Sequence, residues 1–188
     1  IKSKKCSKVI FAGNISKPKI SSLKLDLKGI YYMPRILKAF KLGDAAILKE
    51  LIKILLEHKI KVIKLNFFNP ELTLSKGTYT KIKPDRFEKL DINNAIDFLN
   101  KLNAHNHTQA IVLRKSKVIA QETSKGTQRM LQGVKKHKIS QGMLIKFPKK
   151  KQDLRVDLPT IGLETLRDCK RSGIKGIVLK SMKNIILD

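Results

Sequence analysis

Cysteine, aromatic residues and acidic residues are all scarce in this chain of 188 residues. The two cysteines, Cys6 and Cys169, do not form a ligand-spaced pair, which argues against a zinc site and fits a reducing cytoplasm. Aromatic residues make up only 5% of the chain, and no RNP, KH or zinc-finger pattern accompanies them. No apolar run is long enough to span a bilayer, and the stretch VIFA after the basic start is too short for a signal peptide.

The shortage of acidic residues leaves a large positive charge. The chain has 41 Lys and Arg against 15 Asp and Glu, a formal net charge of +26 and a sequence pI near 10.2. Such a surplus attracts polyanions: nucleic acid, acidic lipid head groups and nucleotides. The lysines recur throughout the chain together with many Ile and Asn, however, and a biased base composition of the source genome explains that pattern better. A basic nucleic-acid-binding module is therefore an alternative, and the leading prediction has no nucleic-acid partner.

Hydrophobic periodicity predicts an α/β chain with two domains. The hydrophobic content of 41% is enough for a buried core. In the first part, the strand KVIFAG, a helix beginning near Pro34, a second helix capped by Asp44 and the strand IKVIKL give the β-α-β pattern of a parallel sheet. We therefore predict a partial Rossmann-like N-terminal domain at residues 1–69.

The second part predicts a mixed α/β C-terminal catalytic domain at residues 70–188. An amphipathic helix capped by Asp91 precedes QAIVL and KVIAQE, which together are typical of a β-hairpin. The strand MLIKFP, the helix LETLRDCKRSG and two closing strands, IKGIVLK and NIIL, come after the hairpin. The two parts together place the chain in the α/β class.

The stretch QDLRVDLPTIG, residues 152–162, is the most informative part of the sequence. If residues 154–158 are extended, Asp153, Arg155 and Asp157 share one face of a strand that Pro159 stops, and Thr160 caps the helix after it. Two carboxylates beside a guanidinium suit a metal and a phosphate. A solvated strand face whose arginine pairs with its neighbours fits the same residues equally well.

Other residues offer groups for a phosphate or a metal. Glu122, at the end of the hairpin, supplies oxygen ligands of the kind that suit Mg²⁺. Gly126 and Thr127, at a helix start, offer backbone N–H groups to a phosphate. Lys146 and Lys149, together with Arg155, can neutralise phosphoryl oxygens. The sequence has neither a Walker A loop nor GxGxxG.

The turn at Gly13 and Asn14 lies where open α/β sheets bind ligands. A plain turn explains this dipeptide better when it is taken alone. The HNH motif at residues 105–107 fits a solvated loop better than a metal site or a nuclease.

Five blocks, taken in order, carry a family resemblance: FAGNISKP, KLGD, ELTL, GTQRML and KFPKKKQDLRVDLPTIG. Together they resemble the LpxI family, the bacterial UDP-2,3-diacylglucosamine pyrophosphatases of lipid A synthesis. The resemblance implies Mg²⁺-dependent cleavage that releases UMP and 2,3-diacylglucosamine 1-phosphate, with the substrate held between a Rossmann-like N-terminal domain and a C-terminal domain of different fold. It implies that Asp157 is the essential catalytic residue. On chemical grounds we expect Asp157 to bind the metal, with Glu122 as a second ligand, because such a metal lowers the pKa of a water and polarises the phosphoryl group. Gly13 and Asn14 would then contact the substrate.

The sequence also departs from the family pattern. The resemblance implies a Gly-rich β-α-β segment before the point that corresponds to Ile1. Gln128 and Ala45 stand where the family has aspartate, and Ser181 and Met182 replace an alanine-glycine turn. A catalytically impaired remnant is therefore the alternative to an active enzyme. A lipid-nucleotide substrate implies a cytoplasmic protein with peripheral contact to the inner membrane. An exposed edge strand in the partial N-terminal sheet would favour pairing with a second copy of the chain, as a homodimer.

Overall fold

The computed structural model describes residues 4–13, 19, 23–102, 108–135, 141–150 and 152–187. The contacts within the chain divide it into two compact units. One comprises Ile1–Asn69 together with Asp153–Asp157, and the other comprises Pro70–Gln152 together with Leu158–Asp188. The short segment Asp153–Asp157 thus groups with the N-terminal unit, a feature that the expected boundaries of 1–69 and 70–188 do not include.

The N-terminal unit contains the predicted parallel β-α-β arrangement, with two helices in the crossover. Strand β1 pairs in parallel with β2, so that Val9 lies opposite Val62. Both strands have only two residues, far fewer than the apolar runs predicted. The elements are β1 (Lys8–Val9), α1 (Leu27–Lys41), α2 (Asp44–Glu57), β2 (Lys61–Val62) and α3 (Leu65–Phe68).

Helix α1 begins earlier than the sequence predicts. The side chain of Asp26 accepts a hydrogen bond of 2.7 Å from the N–H of Gly29 and so caps the helix, which places Pro34 inside α1 instead of near its start. The prediction that Asp44 caps α2 is also wrong. Gly43 is the N-cap, and Asp44 is the first helical residue, where its negative charge interacts favourably with the helix dipole.

Arg35 links the two helices of the N-terminal unit. Its guanidinium bonds to Glu50 at 2.7 Å and forms a two-point contact with Glu57 at 2.7 and 2.9 Å. These bonds raise the pKa of Arg35 and lower the pKa values of both glutamates. The pairing of α1 with α2 therefore rests on a charged cluster as well as on apolar contact.

The C-terminal unit is built around a four-stranded mixed sheet. Its strand order is β4-β3-β5-β7, with β3 antiparallel to both neighbours and β5 parallel to β7. A second sheet pairs β6 with β8 in parallel. After a 3₁₀ turn at Pro70–Leu72, the elements are α4 (Arg86–Lys101), β3 (Ala110–Arg114), β4 (Lys117–Gln121), α5 (Gly126–Gln132), β5 (Met143–Lys146), β6 (Thr160–Ile161), α6 (Leu163–Arg171), β7 (Gly176–Leu179) and β8 (Ile185–Ile186).

Helices cover both faces of the four-stranded sheet. Because side chains alternate along a strand, Ala110 and Val112 pack towards Leu131 of α5 and Cys169 of α6. On the other face, Ile111 and Leu113 pack against α4. These central strand residues are at most 1% exposed, so the sheet is fixed in the densest part of the core.

Helix α4 begins at Arg86, six residues before the predicted start at Ile92. Asp85 and Glu88 form a reciprocal capping box, in which the Asp85 side chain accepts from Glu88 N–H and the Glu88 side chain accepts from Asp85 N–H. Asp91 is therefore not a cap. It is buried inside the helix and accepts a hydrogen bond from the backbone N–H of Ser116 in the β3–β4 turn.

Candidate active site

The stretch around Asp157 is a turn and not a strand. The N–H groups of Val156 and Asp157 both donate to the carbonyl oxygen of Asp153, at 3.1 and 3.0 Å. The predicted extended segment at residues 154–158 is therefore wrong, and the alternation of faces that it implied does not occur. The physical reason is local: the Asp153 carboxylate accepts the backbone N–H of Arg155 at 3.0 Å, a bond that competes with extended backbone.

Arg155 forms an ion pair with Asp153. Its Nη2 lies 2.6 Å from Oδ2 of Asp153, and its Nε lies 2.9 Å from Oδ1. This contact lowers the pKa of Asp153 and raises that of Arg155. The pairing of the arginine with its neighbour, one part of the two interpretations that the sequence left open, is thus present, and binding of a metal or a phosphate by this stretch stays a prediction. A role for Arg155 in binding phosphate stays a prediction.

Asp157 differs from the other carboxylates proposed for the site. Its side chain is half-buried, and across the described part of the chain it makes no hydrogen bond or ion pair. Asp153 is held by Arg155 two residues away. The Asp157 carboxylate is therefore available to an external cation.

Glu122 anchors a polar cluster in the C-terminal unit. It is 8% exposed, and one carboxylate oxygen accepts the N–H groups of Gln109 and Ala110, at 2.7 and 3.1 Å. The other oxygen accepts the hydroxyl of Thr127 at 2.6 Å. Gly126, just before Thr127, has a φ of +83°, which favours glycine there. The cluster fixes the start of α5 against the beginning of β3.

Lys146, the last residue of β5, is also buried. Its ammonium group donates a hydrogen bond of 3.0 Å to the carbonyl of Thr160, at the start of β6. Burial lowers the pKa of Lys146, and the nearby charge of Glu122 opposes that effect. Thr160 is therefore a strand residue and not the helix cap that we predicted; Gly162 is the N-cap of α6.

Two further predicted contacts lie on loops. Lys149 is half-buried, and its backbone N–H donates to the side-chain oxygen of Gln152 at 2.8 Å. Gly13 has a φ of +91° and is exposed, with open space where a side chain would stand. Asn14 and the HNH motif at residues 105–107 lie outside the described residues. The substrate contacts predicted for Gly13, Asn14 and Lys149 stay predictions.

Comparison with known proteins covers both units. Residues 1–72 match the LpxI N-terminal domain, and residues 75–188 match the LpxI C-terminal domain. The chain belongs to the LpxI family. A relative, the UDP-2,3-diacylglucosamine pyrophosphatase LpxI of Caulobacter vibrioides, is 31% identical over 191 residues. The alignment covers 97% of this chain and 68% of that relative. The family resemblance and the two-domain α/β fold are thus confirmed.

If this LpxI site binds Mg²⁺, the described residues of the protein can supply only one or two of the ligands. Among the residues that the structure describes, no group of three or more His, Cys, Asp or Glu side chains can hold a metal. Mg²⁺ commonly takes one or two carboxylates and completes its shell with water and substrate phosphates. Asp157 fits that pattern, whereas both oxygens of Glu122 already accept bonds from the protein. Metal binding by Glu122 stays a prediction.

The LpxI C-terminal unit also contains a polar residue that the sequence analysis did not select. Asn184 is 2% exposed, donates to the carbonyl of Lys146 at 3.0 Å and accepts the N–H of Lys180 at 2.8 Å. It therefore joins the ends of β5 and β7. The only sequence signal was a single polar residue opening the apolar strand NIIL.

No described helix has the combination of length and hydrophobicity that crossing a membrane requires.

Proposed function

We propose that this chain hydrolyses the diphosphate bond of UDP-2,3-diacylglucosamine, with Mg²⁺, to UMP and 2,3-diacylglucosamine 1-phosphate. The observation that carries the proposal is the Asp157 carboxylate, which has no partner within the described residues in the stretch that most resembles the family. Family membership and the name of the Caulobacter relative support the substrate and the reaction class.

The proposed roles follow from the chemistry of each side chain. Asp157 would hold Mg²⁺ through its carboxylate, the kind of oxygen ligand that this ion prefers. When bound, Mg²⁺ polarises a phosphoryl group and lowers the pKa of a coordinated water. Asp157 would thereby position the diphosphate for attack by water.

Cationic side chains offset the charge of the diphosphate. Lys146 has three ammonium N–H donors and, in the part of the chain described, makes one hydrogen bond, to Thr160, so the others can face a phosphoryl oxygen. Lys149 and Arg155 contribute further positive charge. The N–H of Gly126 already donates to the carbonyl of Thr123 at 3.1 Å, so the N–H of Thr127 is the neutral donor that we propose at this helix start.

A diacylated substrate also bears on the surroundings of the protein. We propose a cytoplasmic protein that contacts the inner membrane peripherally, because the acyl chains of the substrate partition into lipid and the net charge of +26 attracts anionic head groups. We also propose that two copies associate as a homodimer. Size-exclusion chromatography with light scattering tests the second point, because a monomer mass at micromolar concentration would contradict it.

The decisive experiment is a paired assay of UMP release from UDP-2,3-diacylglucosamine. Wild type, Asp157→Ala and the exposed-surface control Asp97→Ala are compared with Mg²⁺ and with EDTA. We expect Mg²⁺-dependent turnover in wild type and Asp97→Ala and none in Asp157→Ala. Absent turnover with tight, steeply salt-dependent binding of DNA or RNA would instead favour a basic nucleic-acid-binding module. Absence of both would indicate an inactive remnant.

A further inference from the structure

Gln152 holds a side-chain amide in a fixed orientation next to the lysine-rich turn. Its Oε1 accepts the backbone N–H of Lys149 at 2.8 Å, and its own backbone N–H donates to the carbonyl of Lys149 at 3.2 Å. Because a backbone N–H can bond only to the oxygen of the amide, the assignment of Oε1 and Nε2 follows from the chemistry. Nε2 must therefore point away from Lys149.

That Nε2 group is buried and has no hydrogen-bond partner among the residues that the structure describes. Buried polar atoms of native proteins are nearly always paired, so each exception calls for a physical explanation. Within the described ranges, two other buried atoms share this state, Arg114 Nη2 and Gln141 Oε1. They are a donor and an acceptor on residues already in contact through Arg114 Nε and the Gln141 carbonyl, whereas the described residues give Gln152 Nε2 no such neighbour.

We propose that the side-chain N–H of Gln152 donates a hydrogen bond to a phosphoryl oxygen of the substrate. The inference rests on the proposed function, because the diphosphate is what brings an anionic oxygen to this turn. Lys149 and Lys150 lie in the same turn, and an N–H bond to a phosphate oxygen is strengthened by the charge of the acceptor. The bond from Lys149 N–H holds the amide in place beforehand, so little ordering is required when the substrate arrives.

Two substitutions at Gln152 distinguish the contribution of its side-chain N–H from that of the side-chain oxygen that accepts the N–H of Lys149. Gln152→Glu keeps an acceptor for Lys149 N–H but removes the donor and adds negative charge. Gln152→Met is neutral and removes both donor and acceptor. Gln132→Glu, at an exposed position at the end of α5, is the control for added charge.

We expect both Gln152 variants to lower kcat/KM for UDP-2,3-diacylglucosamine about 10-fold or more, as the loss of one hydrogen bond to a charged group does. Gln152→Glu should keep the wild-type Tm, and Gln132→Glu should match wild type in both measurements. Wild-type kcat/KM in either Gln152 variant overturns the proposal. So does a fall in Tm of Gln152→Glu as large as that of Gln152→Met, because the activity loss would then come from the turn.

Titration with UDP tests the same bond without turnover. The proposal expects weaker binding of UDP by about 10-fold in both Gln152 variants than in wild type. Equal binding by all proteins, or no binding of UDP by wild type, overturns it. A wild type that binds UDP but releases no UMP from the lipid nucleotide contradicts the proposed hydrolysis and leaves the role of Gln152 to be decided by the titration.

Discussion

The ammonium group of Lys146 lies 3.0 Å from the carbonyl oxygen of Thr160 and donates a hydrogen bond to it. This bond ties the last residue of β5 to the first residue of β6, within the C-terminal unit. Lys146 is only 8% exposed, so the ammonium has lost most of its hydration. Burial consequently lowers its pKa below the ordinary value of 10.5.

The lowered pKa of Lys146 predicts a pH-dependent stability. Between the folded pKa and 10.5 the unfolded chain binds more protons than the folded chain, so stability rises with pH in that window. We expect the free energy of unfolding of wild type, relative to Lys146→Met, to increase as pH rises towards 10.5. Urea unfolding at a series of alkaline pH values measures this difference. For the exposed control Lys101→Met, the difference in free energy of unfolding from wild type should not change with pH. The same independence of pH for Lys146→Met would contradict the prediction.

Asn184 should contribute to stability through its two hydrogen bonds. Asn184→Ala leaves the carbonyl of Lys146 and the N–H of Lys180 without their partner, and we expect a loss of about 1–3 kcal/mol in the free energy of unfolding. The neighbouring exposed substitution Lys183→Ala should change it by less than about 0.5 kcal/mol. Urea midpoints with an unchanged m-value provide the measurement. Equal midpoints for the two variants would show that the bridge is not stabilising.

Glu122 should be more sensitive to truncation than to loss of its charge. Glu122→Ala leaves two backbone N–H groups and the Thr127 hydroxyl unpaired, which should cost at least about 2 kcal/mol of stability. Glu122→Gln keeps an oxygen for the N–H groups, and its amide can donate to Thr127, so we expect a loss below about 1 kcal/mol. Thermal and urea unfolding compare the two variants.

The same pair of Glu122 variants separates a structural role from metal binding. If Glu122 is a metal ligand, as the sequence predicts, Glu122→Gln should need a several-fold higher Mg²⁺ concentration than wild type for half-maximal UMP release. An unchanged requirement would mean that Glu122, both of whose oxygens accept bonds from the protein, has a structural role only. Asp157→Asn is the comparison in which turnover itself should be lost.

Helices and strands with a clear hydrophobic pattern were predictable from the sequence. The hairpin β3–β4 and strand β5 follow from apolar runs, and the antiparallel pairing within the hairpin is confirmed. The antiparallel pairing of β5 with β3 was not predicted. Helix α6 and its end at Gly173, which has a φ of +67°, follow from the amphipathic pattern and the glycine. The sequence signal was sufficient there because local preference and burial point to the same structure.

The errors came from short polar side chains that bond to nearby backbone. Asp153 closes a turn on Arg155 and Asp157, and this overrides an alternation that looked like a strand. Asp85 and Glu88 start α4 within a charged segment where no apolar period marks a helix. Asn184 joins strand ends that are distant in sequence, so no local pattern could identify it.

The Asp153–Arg155 pair predicts a small stabilisation that disappears in acid. Asn at position 153 still accepts the N–H of Arg155, so Asp153→Asn isolates the charge from the turn. The Arg155 side chain is 44% exposed, and solvent screening therefore limits the expected loss at pH 7 to about 1 kcal/mol or less. Because the folded pKa of Asp153 lies below 3.8, the contribution is present above that value and is lost as pH falls through the folded pKa.

Urea unfolding of wild type and Asp153→Asn at pH 7 and near pH 2 measures this loss. We expect the two proteins to converge in stability at the lower pH, and high salt at pH 7 to reduce their difference as well. The exposed substitution Asp97→Asn on α4 should leave stability nearly unchanged at both pH values. A difference for Asp153→Asn that persists in acid would mean that the turn, and not the ion pair, is what the carboxylate stabilises.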